Sequence, residues 1–222
     1  MQYYTFHIGD SGAIETINEK VTDGKTSLIC EIYNDNEFNK LNDILHSLYD
    51  YILNEHALNI FKNSKTPPFE LKPAKVLRKE KKFIFLKRSK SYNYYNISFS
   101  DNKTAKYYNW IDFNKSDIVA IDNHKKRFKI QSHKHTLDLI NENKSNSEIS
   151  YLFETKKVVF GKNFDSEIDL FKIPLYSSGT YVSNRLKNRL EETNITDVIF
   201  VDSKNESGRI WKPLFPIIEF NL

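Results

Sequence analysis

Ten short runs constrain this chain more than any other feature: "YYTFHI", "SLICEIY", "FELKPAKVL", "KFIFLK", "YNYYNISF", "DIVAID", "RFKIQ", "KVVFG", "DVIFVD" and "PIIEF". Each is rich in β-branched and aromatic residues and is bounded by Asn, Asp, Gly, Ser or Pro, which is how strands between turns read. Two segments follow a different period. In "DNEFNKLNDILHSLYDYILNEHALNIF", Phe38, Leu41, Ile44, Leu45, Leu48 and Ile52 recur at helical spacing, with Asp35 placed to cap the start. In "YVSNRLKNRLEETN", Val182, Leu186 and Leu190 form one stripe and Arg185 and Arg189 lie on another face. Ser183 suits the cap there, and Asn194 suits a left-handed stop. The pattern predicts an α+β fold, mostly antiparallel sheet, with two main helices at about 36–61 and 183–193.

The polar segment "INENKSNSEIS", residues 140–150, is the best candidate for a connection. It divides a strand-rich lobe with one long helix, residues 1–139, from a smaller α+β lobe, residues 151–222; the two could also pack as one domain. A chain of 222 residues, 39% hydrophobic and 28% charged, is long enough to bury a sizeable core and unlike a disordered one. The start "MQYYTFHIGDSG" lacks a basic and apolar leader, and no run reaches the roughly 18 apolar residues of a membrane span. Cys30 stands alone inside an apolar run, where a buried, inert thiol is expected. These readings predict a cytosolic protein without disulfides and without a membrane partner.

The stretch "WIDFNKSDIVAID", residues 110–122, gathers Asp112, Lys115, Asp117 and Asp122. A cation loop needs converging oxygens at a recognised spacing, and this spacing is none of those. Two strands joined through a turn at Asn114–Ser116 account for every residue, with Asp112 and Asp117 as turn carboxylates. His133 and His135, in "SHKH", would share one side of a strand and could offer two nitrogens to zinc, with His124 as a third. No cysteine partner supports that, so solvated histidines are preferred. "GDSG" and "SSG" lack the lysine and context of a phosphate loop, and no Gly-x-Ser-x-Gly elbow exists. The sequence thus offers no catalytic residues, no metal ligands and no cofactor site. An enzyme assembled from scattered Asp and His remains a third reading.

Positive charge is concentrated. "KVLRKEKKFIFLKRSK", residues 75–90, holds Lys75, Arg78, Lys79, Lys81, Lys82, Lys87, Arg88 and Lys90 against Glu80 alone, although the chain's net charge is only +4. The body is therefore mildly acidic. Interleaved with Phe83, Phe85, Tyr92, Tyr94 and Tyr95, the band has the composition of a surface that grips phosphates and stacks bases. The plainer alternative is a hairpin whose lysines protect a sheet edge. In "YNYYNISF" and "KYYNWIDF" only one of each neighbouring tyrosine pair can face into a half-buried sheet. Tyr94 or Tyr95, and Tyr107 or Tyr108, should then be left as aromatic surface for a protein partner.

Three stretches taken in order resemble a known family. "FELKPAKVL" (69–77), "WIDFNKSDI" (110–118) and "LFKIPLYSSGTYVSNRLKNRLEETNITDVIFVD" (170–202) are similar to bacterial polymorphic-toxin immunity proteins of the Imm-eleven and Imm-forty-three kind. That group shows a "PAKV"-like segment, an "IDF-x-KS" stretch and a late "YVSERLKEALEEAGLTGVEF"-like helix and strand. The likeness spans about 130 residues, from 69 to 202. Asn194 and the following "IT" replace the usual glycine turn, and Asn114 stands where an acidic residue is common. The resemblance implies a non-enzymatic cytosolic protein that binds one cognate toxin domain and blocks it stoichiometrically. On this reading the expected contact residues are Lys81, Lys82, Lys87, Arg88, Tyr94, Tyr95, Tyr107 and Tyr108. If the basic band meets the toxin, complementarity favours an acidic or non-nuclease partner. The alternative function is a nucleic-acid-binding module using residues 75–95.

Overall fold

The computed structural model describes residues 2–8, 16–22, 25–32, 41–46, 51–83, 86–99, 105–145, 150–196, 198–204 and 215–222. Side chains are placed for all of these except 16–22, 25–27, 31, 32, 46, 78–83, 86–89, 105 and 106. The chain forms two compact units, each built from discontinuous segments. The first is Met1–Phe6, Asp101–Asn184 and Phe200–Leu222; the second is His7–Ser100 and Arg185–Ile199. Residues 140–150, expected to connect two lobes, lie inside the first unit.

The second unit is organised by one sheet of β2 (Thr16–Thr22), β3 (Lys25–Ile32), β4 (Ile44–His46), β5 (Tyr51–Leu53), β6 (Glu70–Phe83) and β7 (Leu86–Ser98), in the order β2-β3-β6-β7-β5-β4. β3 runs parallel to β6 and the other pairs are antiparallel. Alternation places Ala74, Val76 and Tyr94 on one face, where they meet Leu28, Cys30, Leu45 and Ile52. Helix α1 (Glu55–Lys62) starts at Asn54, whose side-chain oxygen accepts the Ala57 N–H at 2.9 Å.

Here the structure corrects the long helix expected at 36–61. Among the described residues of that span only Glu55–Lys62 is helical; Ile44–His46 and Tyr51–Leu53 are strands, and Asp35, Phe38 and Leu48 lie outside the described residues. The reason is that Ile44, Leu45, Tyr51, Ile52 and Leu53 are all buried. An amphipathic helix covers one stripe, whereas a strand covered on both faces buries consecutive apolar residues. The helical spacing of Leu41, Leu45 and Ile52 was incidental to that run.

Two four-stranded sheets belong wholly or mainly to the first unit. One is ordered β11-β12-β1-β13, from β1 (Tyr3–Ile8), β11 (Leu170–Lys172), β12 (Thr180–Ser183) and β13 (Val198–Asp202). The other is ordered β14-β10-β8-β9, from β8 (Asp117–Asp122), β9 (Arg127–Lys129), β10 (Tyr151–Phe160) and β14 (Ile217–Phe220). Their common core is aromatic. Phe160 lies 4.9 Å from Phe164, 5.3 Å from Phe171 and 5.6 Å from Phe220, centroid to centroid. Each such ring removed from water contributes roughly 2 kcal/mol or more, and the edge-on contact of Phe160 with Phe171 adds to it.

The fold is α+β and mostly sheet, as the sequence predicts. The late helix stands as α3 (Asn184–Glu192), with Leu186 and Leu190 buried and Asn194 left-handed at φ 54°. Ser183 donates its hydroxyl to the Asp169 carboxylate at 2.8 Å. A further helix, α2 (His133–Ser145), occupies residues read as strand end and flexible connection. It begins at Ser132, whose hydroxyl accepts the His135 N–H at 3.1 Å. Its only fully buried side chain is Thr136, so it carries too thin an apolar stripe to announce itself.

Candidate functional site

Two of the three carboxylates in residues 110–122, Asp112 and Asp122, shape turns. Residues Ala105–Trp110 form a 3-10 helix, so no strand precedes the turn as a hairpin would require. Asp112 Oδ1 accepts the N–H groups of Asn114 (3.2 Å) and Lys115 (3.4 Å), and Lys115 Nζ stands 3.9 Å from Asp112 Oδ2. Ser116 Oγ donates to the Asp112 carbonyl at 2.8 Å and accepts the Val159 N–H at 2.9 Å, fastening the turn to β10. Asp117 is exposed at the start of β8. Asp122 Oδ1 accepts the N–H groups of His124 (2.9 Å) and Lys126 (2.8 Å) and so shapes the β8–β9 turn. Asp112 and Asp122 thus order the backbone of two turns.

The histidines are distributed differently from the strand expected. His124 lies in the β8–β9 turn, while His133 and His135 open helix α2. The His133 ring stacks on Tyr108 at 4.2 Å, and its Nδ1 is 3.3 Å from the Tyr176 hydroxyl, which also meets Thr136 Oγ1 at 2.9 Å. Burial pushes the His133 pKa below its usual value. Gln131 N–H donates to His135 Nδ1 at 3.4 Å. Among the described residues no group of three or more His, Cys, Asp or Glu is placed to hold a metal ion. Cys30 is buried, and desolvation pushes its thiol up to about 11.

The tyrosines expected at a surface are mostly core. Tyr94 is buried and donates its hydroxyl to the Asn42 carbonyl at 2.7 Å. Burial, together with the Asp43 and Tyr92 charges, raises its pKa further above the ordinary tyrosine range. Tyr107 and Tyr108 are both buried, and only Tyr95 is half-exposed. The strand argument failed for Tyr107 and Tyr108 because their segment is a 3-10 helix, on which neighbouring residues need not face opposite ways. Tyr107 stacks on Trp110 at 4.3 Å, and burial with the Asp165 charge lifts its hydroxyl to about 12.

Lys81, Lys82, Lys87 and Arg88 fall in the β6–β7 hairpin. Its backbone register sets Lys81 opposite Lys87 and Glu80 opposite Arg88. Their side chains lie outside the described residues.

A surface the sequence reading missed lies on the β14-β10-β8-β9 sheet. Register places Ile121 opposite both Leu152 of β10 and Arg127 of β9, so the three share one face. Leu152 is 68% exposed. Around it a groove of about 320 Å³ is lined by Ile121, Leu152, Glu154, Pro174, Leu175 and Ser178, among others. Its rim is charged: Arg127 Nη2 meets Glu154 Oε2 at 2.6 Å. An apolar floor with an ion-paired edge is the composition of a protein contact. The signal in the sequence was Leu152 within "YLFETKKVV", out of phase with the inward-facing Tyr151 and Phe153. A second cavity, of about 310 Å³, lies by His56, Ile60, Asn63, Arg189 and Thr193. Its Arg189 already donates to the Asn63 carbonyl at 3.0 Å, at the end of α1.

No protein-family model matches the chain and no curated protein matches it, so the likeness of the three quoted stretches rests on their residues alone. Among the described residues no helix is long and apolar enough to cross a membrane.

Proposed function

We propose that this chain is an immunity protein, which binds a cognate secreted bacterial toxin domain in the cytoplasm and blocks it one to one by surface contact. The observation that carries the binding role is Leu152. A leucine 68% exposed on the sheet, beside a groove edged by Arg127 and Glu154, offers apolar area with a charged rim, as a protein contact does. The kind of partner comes from the ordered likeness of residues 69–77, 110–118 and 170–202 to immunity proteins. The Asp112 carboxylate supports a non-catalytic reading of the "WIDFNKSDI" stretch, since it holds the backbone N–H groups of Asn114 and Lys115.

The test is co-expression with the polymorphic toxin encoded immediately upstream. Restored growth and a one-to-one complex on co-purification are expected. A toxin that stays active and elutes alone would reject the reading. Salt-dependent RNA binding lost on reversing Lys81, Lys82, Lys87 and Arg88 would replace it with the nucleic-acid-binding module.

A further inference from the structure

Strand β10 is paired to β8 over Tyr151–Lys157 but to β14 only over Lys157–Phe160. Among the described residues its first half is therefore a sheet edge on the β14 side. Which backbone groups face that edge follows from β8. The Ile118 carbonyl accepts the Ile130 N–H at 2.9 Å, and the Asp122 N–H donates to the Lys126 carbonyl at 3.0 Å, both on the β9 side. Alternation turns the groups of Val119 and Ile121 toward β10, where they meet Glu154 and Leu152. The N–H and C=O of Phe153 and Thr155 consequently point the other way, and among the described residues none bonds them.

Strand β14 does not run on along this edge. Pro216 directly precedes it and carries no N–H, and Phe215 rests on Gly179, with ring atoms 2.6 and 2.9 Å from where a Cβ there would stand. The register shift between Thr155 and Lys157 marks the passage from open to paired edge. Phe153 and Thr155 also line the groove of about 320 Å³ beside Leu152, together with Pro174, Leu175 and Ser178 from the segment before β12. Natural sheets blunt an open edge with charge or proline, and Phe153 and Thr155 bring neither.

Resting on the immunity reading above, we infer that the toxin contributes one extended segment that adds to the sheet here. Its backbone pairs with Phe153 and Thr155 in line with β14, and one of its apolar side chains lies beside Leu152. Alternating main-chain donors and acceptors are matched by another extended backbone, whereas a phosphate backbone supplies acceptors alone. Charge does not choose the partner, because Arg127 and Glu154 on the rim are paired with each other. A second copy of the chain presents the same edge set in the same groove, and two recessed edges do not reach one another.

The experiment is residue-resolved amide hydrogen exchange, by NMR, on the chain alone and in its complex with the upstream-encoded toxin domain. In the free chain the Leu152 and Glu154 amides, held by β8, should exchange slowly and those of Phe153 and Thr155 fast. In the complex the Phe153 and Thr155 amides should slow by about tenfold or more. Thr155→Pro removes a free donor and no bond within the fold, and should weaken toxin binding by about tenfold. Wild-type affinity should be nearly the same at about 50 and 500 mM NaCl. The exchange pattern decides even where Thr155→Pro does not fold. Phe153 and Thr155 amides that stay fast in a one-to-one complex overturn the inference and leave the immunity reading standing. Amides already slow in the free chain overturn it too, since the edge is then occupied without toxin. A wild-type chain that does not bind the active toxin removes the immunity reading and the inference with it.

Discussion

The imidazole of His133 lies nearly flat on the ring of Tyr108, with centroids 4.2 Å apart and planes inclined by 19°. That pairing joins the first turn of α2 to the 3-10 helix, and the Tyr176 hydroxyl closes it from the other side at 3.3 Å from Nδ1. Burial lowers the His133 pKa in the folded chain, so on acidification the unfolded chain takes up its proton first. The stability tied to His133 is therefore whole above pH 6.5 and is lost as pH falls through the lower, folded value. Urea unfolding at pH 7.5 and 5.5 should show a smaller drop for His133→Phe, which keeps the stacking, than for the wild type. The difference should stay below about 1 kcal/mol, because the ring is only half-buried and solvent screens it. An equal drop in both proteins would remove His133 as the titrating group.

Ser116 is the fastening of the "WIDFNKSDI" turn. Its hydroxyl answers both the Asp112 carbonyl and the Val159 N–H, and the residue is buried. Ser116→Ala leaves that N–H without its acceptor and should cost about 1–3 kcal/mol in urea unfolding. Asp117→Asn, one position away but exposed, should change stability by less than about 0.5 kcal/mol. Loss of toxin protection by Asp117→Asn at unchanged stability would return this stretch to the candidate sites.

Helix α3 stops where a residue must turn left-handed. Asn194, at φ 54°, donates its N–H to the Glu191 carbonyl while Ile195 N–H reaches Leu190. Asn194→Gly should leave the thermal midpoint level or slightly raised, and Asn194→Ala should cost about 1 kcal/mol. An alanine as stable as glycine there would mean the turn can re-form without positive φ.

The residues easiest to read were those whose neighbours in sequence are also their neighbours in space. The stripe Leu186–Leu190 and the Asn194 stop declare α3 from one window, and the short apolar runs declare β1, β8, β14 and the last residues of β10. Strands β4 and β5 were misread because β5, which pairs β4, is itself paired to β7, more than forty residues on, which no local period reports. Tyr94 looked like surface for the same reason. Its hydroxyl is satisfied by the Asn42 carbonyl, which the sequence places 52 positions away. The Leu152 groove was illegible because its floor assembles Ile121, Leu152 and Pro174 from three separate segments.

The tyrosines separate a core from an interface by measurement. Tyr94→Phe keeps the buried ring and loses the 2.7 Å bond to Asn42, so it should lower stability by about 1 kcal/mol. Tyr94→Ala opens a cavity and should cost roughly 3–5 kcal/mol, on the scale of large-to-small core changes. Neither should alter toxin affinity at temperatures where the variant is folded. A Tyr94→Phe variant of native stability with weakened toxin binding would make Tyr94 a contact after all.

Leu152 should behave in the opposite way. Its side chain already stands in water, so Leu152→Asp removes little folded-state packing and should shift unfolding by less than about 0.5 kcal/mol. In a complex the same carboxylate would be driven into an apolar groove beside Glu154, which carries a second negative charge. Toxin binding should weaken by about 2 kcal/mol or more, near thirtyfold, with growth rescue lost in proportion. Leu152→Ala, which deletes contact without adding charge, should fall between the two. Full rescue by Leu152→Asp would remove this sheet from the proposed toxin contact and favour the β6–β7 hairpin instead.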